Sequence, residues 1–166
     1  ISDRVHRFLP PRRRRTHALR LVRDILAARP GGRTDLDEAL QAALAPLKQR
    51  AVVFVISDFV ETTYEKALRR AAARHDVIAI AIRDPRDFEL PDSGPVLLRD
   101  GETGELALVD GARAASSHRE RRLAEQRALR HTTGRLGIDL LTLATDQPYL
   151  PTLVAFFERR RRKVAR

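Results

Sequence analysis

Three short apolar runs, separated by helical patterns, predict the fold class of this chain. Ala51–Ile56 and Val77–Ile82 are six-residue runs rich in valine and isoleucine, and Ile138–Leu143 is a third run interrupted by Asp139 and Thr142. Such runs are typical of strands that are covered on both faces, which occur mainly in parallel sheets. We therefore expect helices on both sides of these strands.

Apolar residues at helical spacing predict five helices. Thr62-Thr63-Tyr64-Glu65 has the spacing of a capping box, with Thr62 as the N-cap of one of them. Because strands and helices alternate, the pattern predicts an α/β, Rossmann-like fold with a mainly parallel sheet flanked by helices. The predicted helices cover residues 16–28, 35–47, 62–74 and 113–136, and a final stretch with Leu150, Leu153, Val154 and Phe157 on one face.

Two segments depart from this alternation. Val96–Arg99 and Glu105–Val109 flank a glycine-containing stretch, which predicts an inserted β-hairpin. Residues Arg4–Leu9 alternate polar and apolar positions before Pro10-Pro11, which predicts a short edge strand. Gly137 is expected to end the long helix that follows the hairpin.

Length and composition predict a single domain over residues 1–166. The chain has 166 residues, 43% of them hydrophobic, and it contains neither cysteine nor methionine. It starts at Ile1, so we expect a piece of a longer protein that lacks one or more N-terminal strands. Without cysteine, any metal must be held by oxygen or imidazole ligands. The apolar runs are far shorter than the roughly 20 residues of a membrane span, so we expect a cytoplasmic segment without membrane contact and leave anchoring of the parent protein open.

The net charge of +10 is concentrated in two short runs. Arg12–Arg15 and Arg159–Lys163 supply nine of these charges, so the rest of the chain is nearly neutral. The pattern favours solvated charge over a binding surface, and binding to phosphate or to an acidic partner is the alternative.

Two polar motifs are candidates for a site at one edge of the sheet. Ser57-Asp58 directly follows the run Ala51–Ile56, and Gly32-Arg33-Thr34-Asp35 opens a predicted helix about twenty residues earlier. Ligands collect at the carboxyl ends of parallel strands. Thr34 alone fits a helix N-cap, and Asp58 fits either a ligand site or a carboxylate held by backbone N–H groups or Arg33. Together, Thr34 and Asp58 could hold a hard cation through oxygen.

These motifs also carry a family resemblance. Gly32–Leu40 and Val53–Phe59 resemble the second and third loops of von Willebrand factor type A domains, and nearly the whole chain is similar to the C-terminal part of the bacterial "domain of unknown function 58" family. The set of motifs is more specific than any one of them. The other matching stretches are Leu9-Pro10-Pro11-Arg12-Arg13, Arg74-His75-Asp76-Val77, Asp84-Pro85-Arg86, Glu102-Thr103-Gly104-Glu105 and Phe156-Phe157-Glu158-Arg159-Arg160.

The resemblance implies a Mg²⁺-type adhesion site, with Thr34 as the second-loop ligand and Asp58 as the third-loop ligand. It also implies a protein partner that docks at this edge beside Arg33, Asp35 and Phe59. The family's first-loop pattern, Asp-x-Ser-x-Ser, is absent from the sequence, so we expect weak or no Mg²⁺ binding by this chain.

By the same kinship, the chain is expected to be a non-enzymatic interaction module that acts with a MoxR-type AAA+ ATPase in assembling or remodelling a client protein. Self-association through unpaired sheet edges is a further expectation.

Other functional classes have weaker support. The five histidines lack the spacing of a metal site, and no nucleophile elbow surrounds Ser57. Gly31–Thr34 opens a helix but lacks the lysine and spacing of a phosphate-binding loop. Two alternatives stay open: sequence-independent nucleic-acid binding through the arginine-rich segments, and a metal-dependent hydrolase that uses Asp58.

Overall fold

Three parallel strands form the main sheet in the computed structural model, which describes residues 15–28, 36–60, 64–89, 93–99 and 104–164. The helices are α1 Arg15–Leu26, α2 Leu36–Leu44, α3 Tyr64–Arg74, α4 Gly111–Arg135 and α5 Tyr149–Val164, with a 3₁₀ turn at Pro85–Phe88. The strands are β1 Val52–Ser57, β2 Asp76–Arg83, β3 Pro95–Arg99, β4 Leu106–Asp110 and β5 Asp139–Ala144.

The sheet has the strand order β1-β2-β5, and both of its strand pairs are parallel. In register, Phe54 lies beside Ile78, and Ile80 lies beside Leu141. The carboxyl ends of all three strands therefore reach the same edge. This arrangement confirms the predicted α/β, Rossmann-like fold with a mainly parallel sheet flanked by helices.

The two faces of the sheet carry separate apolar clusters. On one face, α2, α3 and the end of α4 pack against alternate residues of β1 and β2, with Leu68, Ala79 and Leu129 among the most deeply buried side chains. On the other face, α5 contributes Phe156 to a smaller cluster with residues of β2 and β5 such as Ile78. Side chains of one strand alternate between these two clusters, as the pleat requires.

The sequence predicted that helices cover both faces of β1, and for the described residues this prediction is wrong. Val52, Phe54 and Ile56 are 55%, 48% and 65% exposed, whereas Val55 on the opposite face is buried. The reason is the position of β1 at the end of the described strand order, combined with the placement of α5 over β2 and β5. Three of this strand's five apolar side chains thus lie on an open face.

The inserted hairpin is confirmed. Strands β3 and β4 pair antiparallel, with Leu97 opposite Leu108. Helix α4 follows at once, and the Asp110 carboxylate caps it by accepting from the Arg113 N–H at 3.0 Å. Gly137 then adopts a positive φ of 67° just beyond the helix, which confirms its predicted role in ending α4.

The last helix is tied to the opposite edge of the sheet from the strand carboxyl ends. Arg160 donates to the carboxylates of Asp76 and Asp139, which begin β2 and β5. This ion cluster holds α5 along the sheet. Among the described residues, no helix is long and apolar enough to cross a membrane.

Several predictions lie outside the described residues. They are the edge strand Arg4–Leu9, the N-cap Thr62, the basic residues Arg12–Arg14 and the motif Gly32–Asp35.

Candidate functional site

Asp58 is the first residue beyond β1, at the carboxyl edge of the sheet. Its side chain is exposed, and its Oδ1 atom accepts from the Ser57 hydroxyl at 3.3 Å and from the Val60 N–H at 3.4 Å. These two local bonds orient the carboxylate while leaving it open to solvent. The structure thus places Asp58 at the edge where the sequence predicts it.

The turn that carries Asp58 contains an unusual backbone conformation at Phe59. Its φ is +51°, and no other non-glycine residue in the described ranges has a positive φ. The Phe59 N–H donates to Ser57 Oγ at 3.1 Å, and its ring packs edge-on against Tyr64 with centroids 5.7 Å apart. A left-handed conformation is costly for a bulky residue and persists only where the surroundings hold it, often at functional sites.

The structure places Phe59, the predicted partner-contacting residue, in the core. The residue is 2% exposed and belongs to the larger apolar cluster. Its ring therefore anchors the turn from below and is not available for contact with a partner in this conformation. Burial also raises the pKa of Tyr64, the residue it packs against, above its ordinary value of 10.0.

Arg83, at the end of β2, adds a positive charge to the same edge. Its guanidinium donates to the backbone carbonyl of Asp58, so it braces the turn from the neighbouring strand. A fixed, exposed carboxylate of this kind can accept hydrogen bonds from N–H groups, bind a basic side chain or supply one ligand to a cation.

The described residues do not by themselves form a divalent-cation site. In these ranges, no three or more histidine, aspartate or glutamate side chains form a group that could hold a metal ion. Thr34, Arg33 and Asp35 lie outside them, so whether Thr34 meets Asp58 stays a prediction. A cation here needs further donors.

A concave region lies between α2 and α3, away from Asp58, and the sequence did not predict it. It has a volume of about 490 Å³, and Leu40, Arg70, Arg74 and His75 are among its lining residues. Arg70 donates to Asp37 across its rim, and buried His75 accepts from the Ala51 N–H at 3.4 Å. In the sequence, only the (i, i+4) spacing of Arg70 and Arg74 could have indicated this concave region. These side chains connect helices and strands, which indicates a structural role.

Comparison with known proteins identifies relatives over most of the chain. The family described as "Protein of unknown function DUF58" matches residues 1–132. Proteins described as uncharacterized in Mycobacterium tuberculosis and Mycobacterium bovis are 39% identical over 166 aligned residues, covering 93% of this chain and 50% of each relative. One in Mycobacterium avium is 37% identical over 153 residues, covering 87% of this chain and 86% of that protein.

Among solved structures, the chain is similar to that of the conserved hypothetical protein BatB from Bacteroides thetaiotaomicron. The TM-score is 0.36 at 15% identity, with 82% of this chain and 62% of that chain covered. The chain spans about half the length of the M. tuberculosis and M. bovis relatives that it matches.

Proposed function

The chain belongs to the family described as protein of unknown function DUF58, and from this premise we propose that it is a non-enzymatic protein-interaction module. Its partner docks at the carboxyl edge of the sheet, where Asp58 is exposed. The proposal includes a von Willebrand factor type A character, in which Asp58 and Thr34 serve as two of the ligands of an incomplete Mg²⁺-type site.

The turn after β1 is the observation that carries this proposal. Phe59 holds a strained conformation by burying its ring, and this leaves the neighbouring carboxylate exposed and fixed by two local hydrogen bonds. A structural aspartate needs neither the strain nor the exposure. A docking carboxylate benefits from both, since a group fixed in its bound orientation loses less entropy on binding.

The proposed partners follow from the family resemblance. They are a MoxR-type AAA+ ATPase and a client protein that the pair assembles or remodels. An acidic group of a partner would complete the shell of a cation held at this edge. In this chain alone the site should bind Mg²⁺ weakly or not at all, because the first-loop pattern Asp-x-Ser-x-Ser is absent from the sequence.

Binding between this chain and a purified MoxR-type ATPase from the same genome tests the proposal. We expect Asp58→Asn to weaken the affinity by about tenfold or more, as for a central interface residue. The matched control is Asp146→Asn, an exposed aspartate that follows β5 at the same edge. Repeating the titration with Mg²⁺ and with a chelator separates a cation-bridged contact from a direct one. Equal affinities for the wild type and both variants contradict the proposal.

Nucleic-acid binding is the second candidate, because α4 exposes several arginines, among them Arg119, Arg121, Arg127 and Arg130. Arg119, Arg127 and Arg130 lie within about 80° of one another around the helix, and Arg121 lies away from them. The sequence contains no motif that reads bases, so any such binding would be sequence-independent. The hydrolase alternative predicts turnover of phosphate esters with Mg²⁺ that Asp58→Ala abolishes.

A further inference from the structure

The concave region between α2 and α3 is built entirely from described residues. Every residue that lines it belongs to one of these two helices or directly follows one of them, as Ala45 and His75 do. Both helices pack on the larger apolar cluster, and Arg70 of α3 bonds to Asp37 of α2 across the rim. We call this region the α2–α3 pocket. Its walls are complete, unlike the layer over β1, which lies at the end of the described strand order.

The lining of the pocket combines an apolar body with polar groups near the end of α3. Leu40, Leu44 and Ala67 belong to the apolar part, and the volume of about 490 Å³ is typical of sites for small molecules, which span roughly 300–1,000 Å³. Arg74 is the last residue of α3, and His75 follows it directly before β2. A molecule with an apolar body and one polar end matches this division.

Arg74 determines which polar end the pocket accepts. The lining contains one aspartate and two arginines, so with neutral His75 it carries one surplus positive charge. The Arg70 guanidinium bonds to Asp37, whereas the Arg74 guanidinium forms no ion pair or hydrogen bond with another described side chain. Arg74 also complements the partial negative charge at the C-terminus of α3, and this role leaves its N–H groups open. A guanidinium fork binds a carboxylate through two parallel hydrogen bonds.

His75 supplies a second donor beside Arg74. The residue is only 4% exposed, and its Nδ1 accepts from the Ala51 N–H at 3.4 Å. In the neutral imidazole the proton is then on Nε2. Among the described residues, none accepts a hydrogen bond from this Nε2, although buried donors are normally paired. Because Arg74 and His75 line the same pocket, a carboxylate at this end can accept from both.

We propose that the α2–α3 pocket binds a small amphiphile with one carboxylate, such as a medium-chain fatty acid. The carboxylate lies at Arg74 and His75, and the hydrocarbon chain lies against the leucines and alanines of the two helices. One surplus charge fits a single carboxylate better than a polyanion. His75 precedes β2 and Asp58 follows β1, so the pocket lies toward the amino ends of the parallel strands and is independent of the function proposed for the Asp58 edge.

Titration with octanoate tests this proposal, with octanol and octylammonium as controls of equal chain length. All three are used below their micelle-forming concentrations, and backbone amide NMR shifts report both affinity and location. We expect octanoate to bind at least about fivefold more tightly than octanol, because only the carboxylate pairs with Arg74. Octylammonium should bind more weakly than octanol, since the surplus charge repels it. The shifts should centre on Leu40, Leu44, Arg74 and His75.

A variant without the guanidinium separates charge recognition from apolar binding. Arg74→Gln should weaken octanoate binding about fivefold, to the level of octanol, and leave octanol binding unchanged. The matched control is Arg127→Gln, which makes the same charge change at an exposed position of α4 and should leave both affinities unchanged. Arg74 is exposed at a helix end, so its replacement should cost little stability, and thermal denaturation verifies this.

Four results would overturn the proposal. They are equal binding of octanoate and octanol, no binding of octanoate, shifts that centre outside the pocket, and an equal loss of octanoate affinity in the two arginine variants. The titration is repeated on the longest form of the protein that its gene encodes. Loss of octanoate binding in that form would also overturn the proposal, because a segment of the protein would then fill the pocket.

Discussion

Phe59 combines backbone strain with complete burial, and this combination predicts an unusually damaging substitution. Phe59→Ala removes the ring that packs on Tyr64 but keeps a Cβ in the left-handed conformation. We expect the free energy of unfolding to fall by about 3–5 kcal/mol, as for other buried phenylalanines. Urea denaturation measures the change. The neighbouring Val60→Ala, at a more exposed position, should cost less than about 1 kcal/mol.

Glu65 gives the structure a pH dependence with a definite sign. The hydrogen bond from Arg135 is the main cause that lowers the pKa of this carboxyl below its ordinary value of 4.5, and Arg69 adds to it. A lowered pKa stabilises the fold above the unfolded-state value, and this stabilisation disappears as the pH falls through the folded-state value.

Glu65→Gln should therefore lower the melting temperature slightly at pH 7, and this difference should shrink as the pH falls below about 4.5. Thermal denaturation across pH measures it. Glu120→Gln, at an exposed glutamate of α4, is the control. A difference that is constant down to acidic pH would show that the ion pair does not contribute.

At the residue scale, the sequence was sufficient to place Asp58 and insufficient to describe Phe59. A carboxylate after an apolar strand predicts a position at the sheet edge, because strand direction determines it. The left-handed φ of Phe59 depends on Tyr64 and on the Ser57 hydroxyl, which come together only in the folded turn.

Among the elements, helix α2 shows where periodicity misleads. Its apolar pattern continues to Leu47, but the helix ends at Leu44. Pro46 explains the difference, since proline disfavours a helical conformation in the residue before it. Strands β2 and β5 agree with prediction to within one residue at each end. The apolar run of β2 is bounded by Asp76 and Arg83, and Gly137 separates the run of β5 from the helix before it.

The attachment of α5 to the sheet predicts a second sensitive substitution. Arg160 is mostly buried and bonds to carboxylates of two strands. Arg160→Ala should lower the free energy of unfolding by about 2 kcal/mol, because charge-assisted hydrogen bonds are lost near partly buried carboxylates. Guanidinium chloride would mask ionic effects, so urea is the suitable denaturant.

Two further variants test whether this loss of stability comes from the bonds that Arg160 makes to the two carboxylates. Arg160→Lys should restore only part of the stability, since a lysine cannot bond in a fork to two carboxylates. The exposed Arg161→Ala should be nearly neutral. Equal stability of Arg160→Ala and the wild type would contradict a structural role for the cluster.

For the molecule as a whole, the net charge predicts weak, salt-dependent DNA binding without sequence preference. We expect fluorescence anisotropy at low salt to detect it and a few hundred millimolar salt to abolish it. Replacing Arg119, Arg121, Arg127 and Arg130 by alanine should reduce the salt slope if α4 carries the contact. No detectable binding at low salt, or a salt slope that the four replacements leave unchanged, would count against nucleic-acid binding through α4.

At the scale of the whole molecule, the sequence predicted the order and type of the elements. It did not predict which faces of the sheet the helices cover. Alternating strands and helices predicted the parallel sheet, and the glycine-containing stretch predicted the hairpin. The exposed face of β1 could not be predicted, because an apolar run such as Ala51–Ile56 has the same pattern whether one face of the strand or both are covered.

The Arg160 cluster has a mechanical consequence. Helix α5 returns along the sheet, so its second half lies against the amino ends of β2 and β5. Tension applied to the chain beyond α5 would load this guanidinium and its two carboxylates before the strands begin to separate. Under such tension, the contacts of Arg160 with Asp76 and Asp139 would be the first to break, and the strands would separate only afterwards.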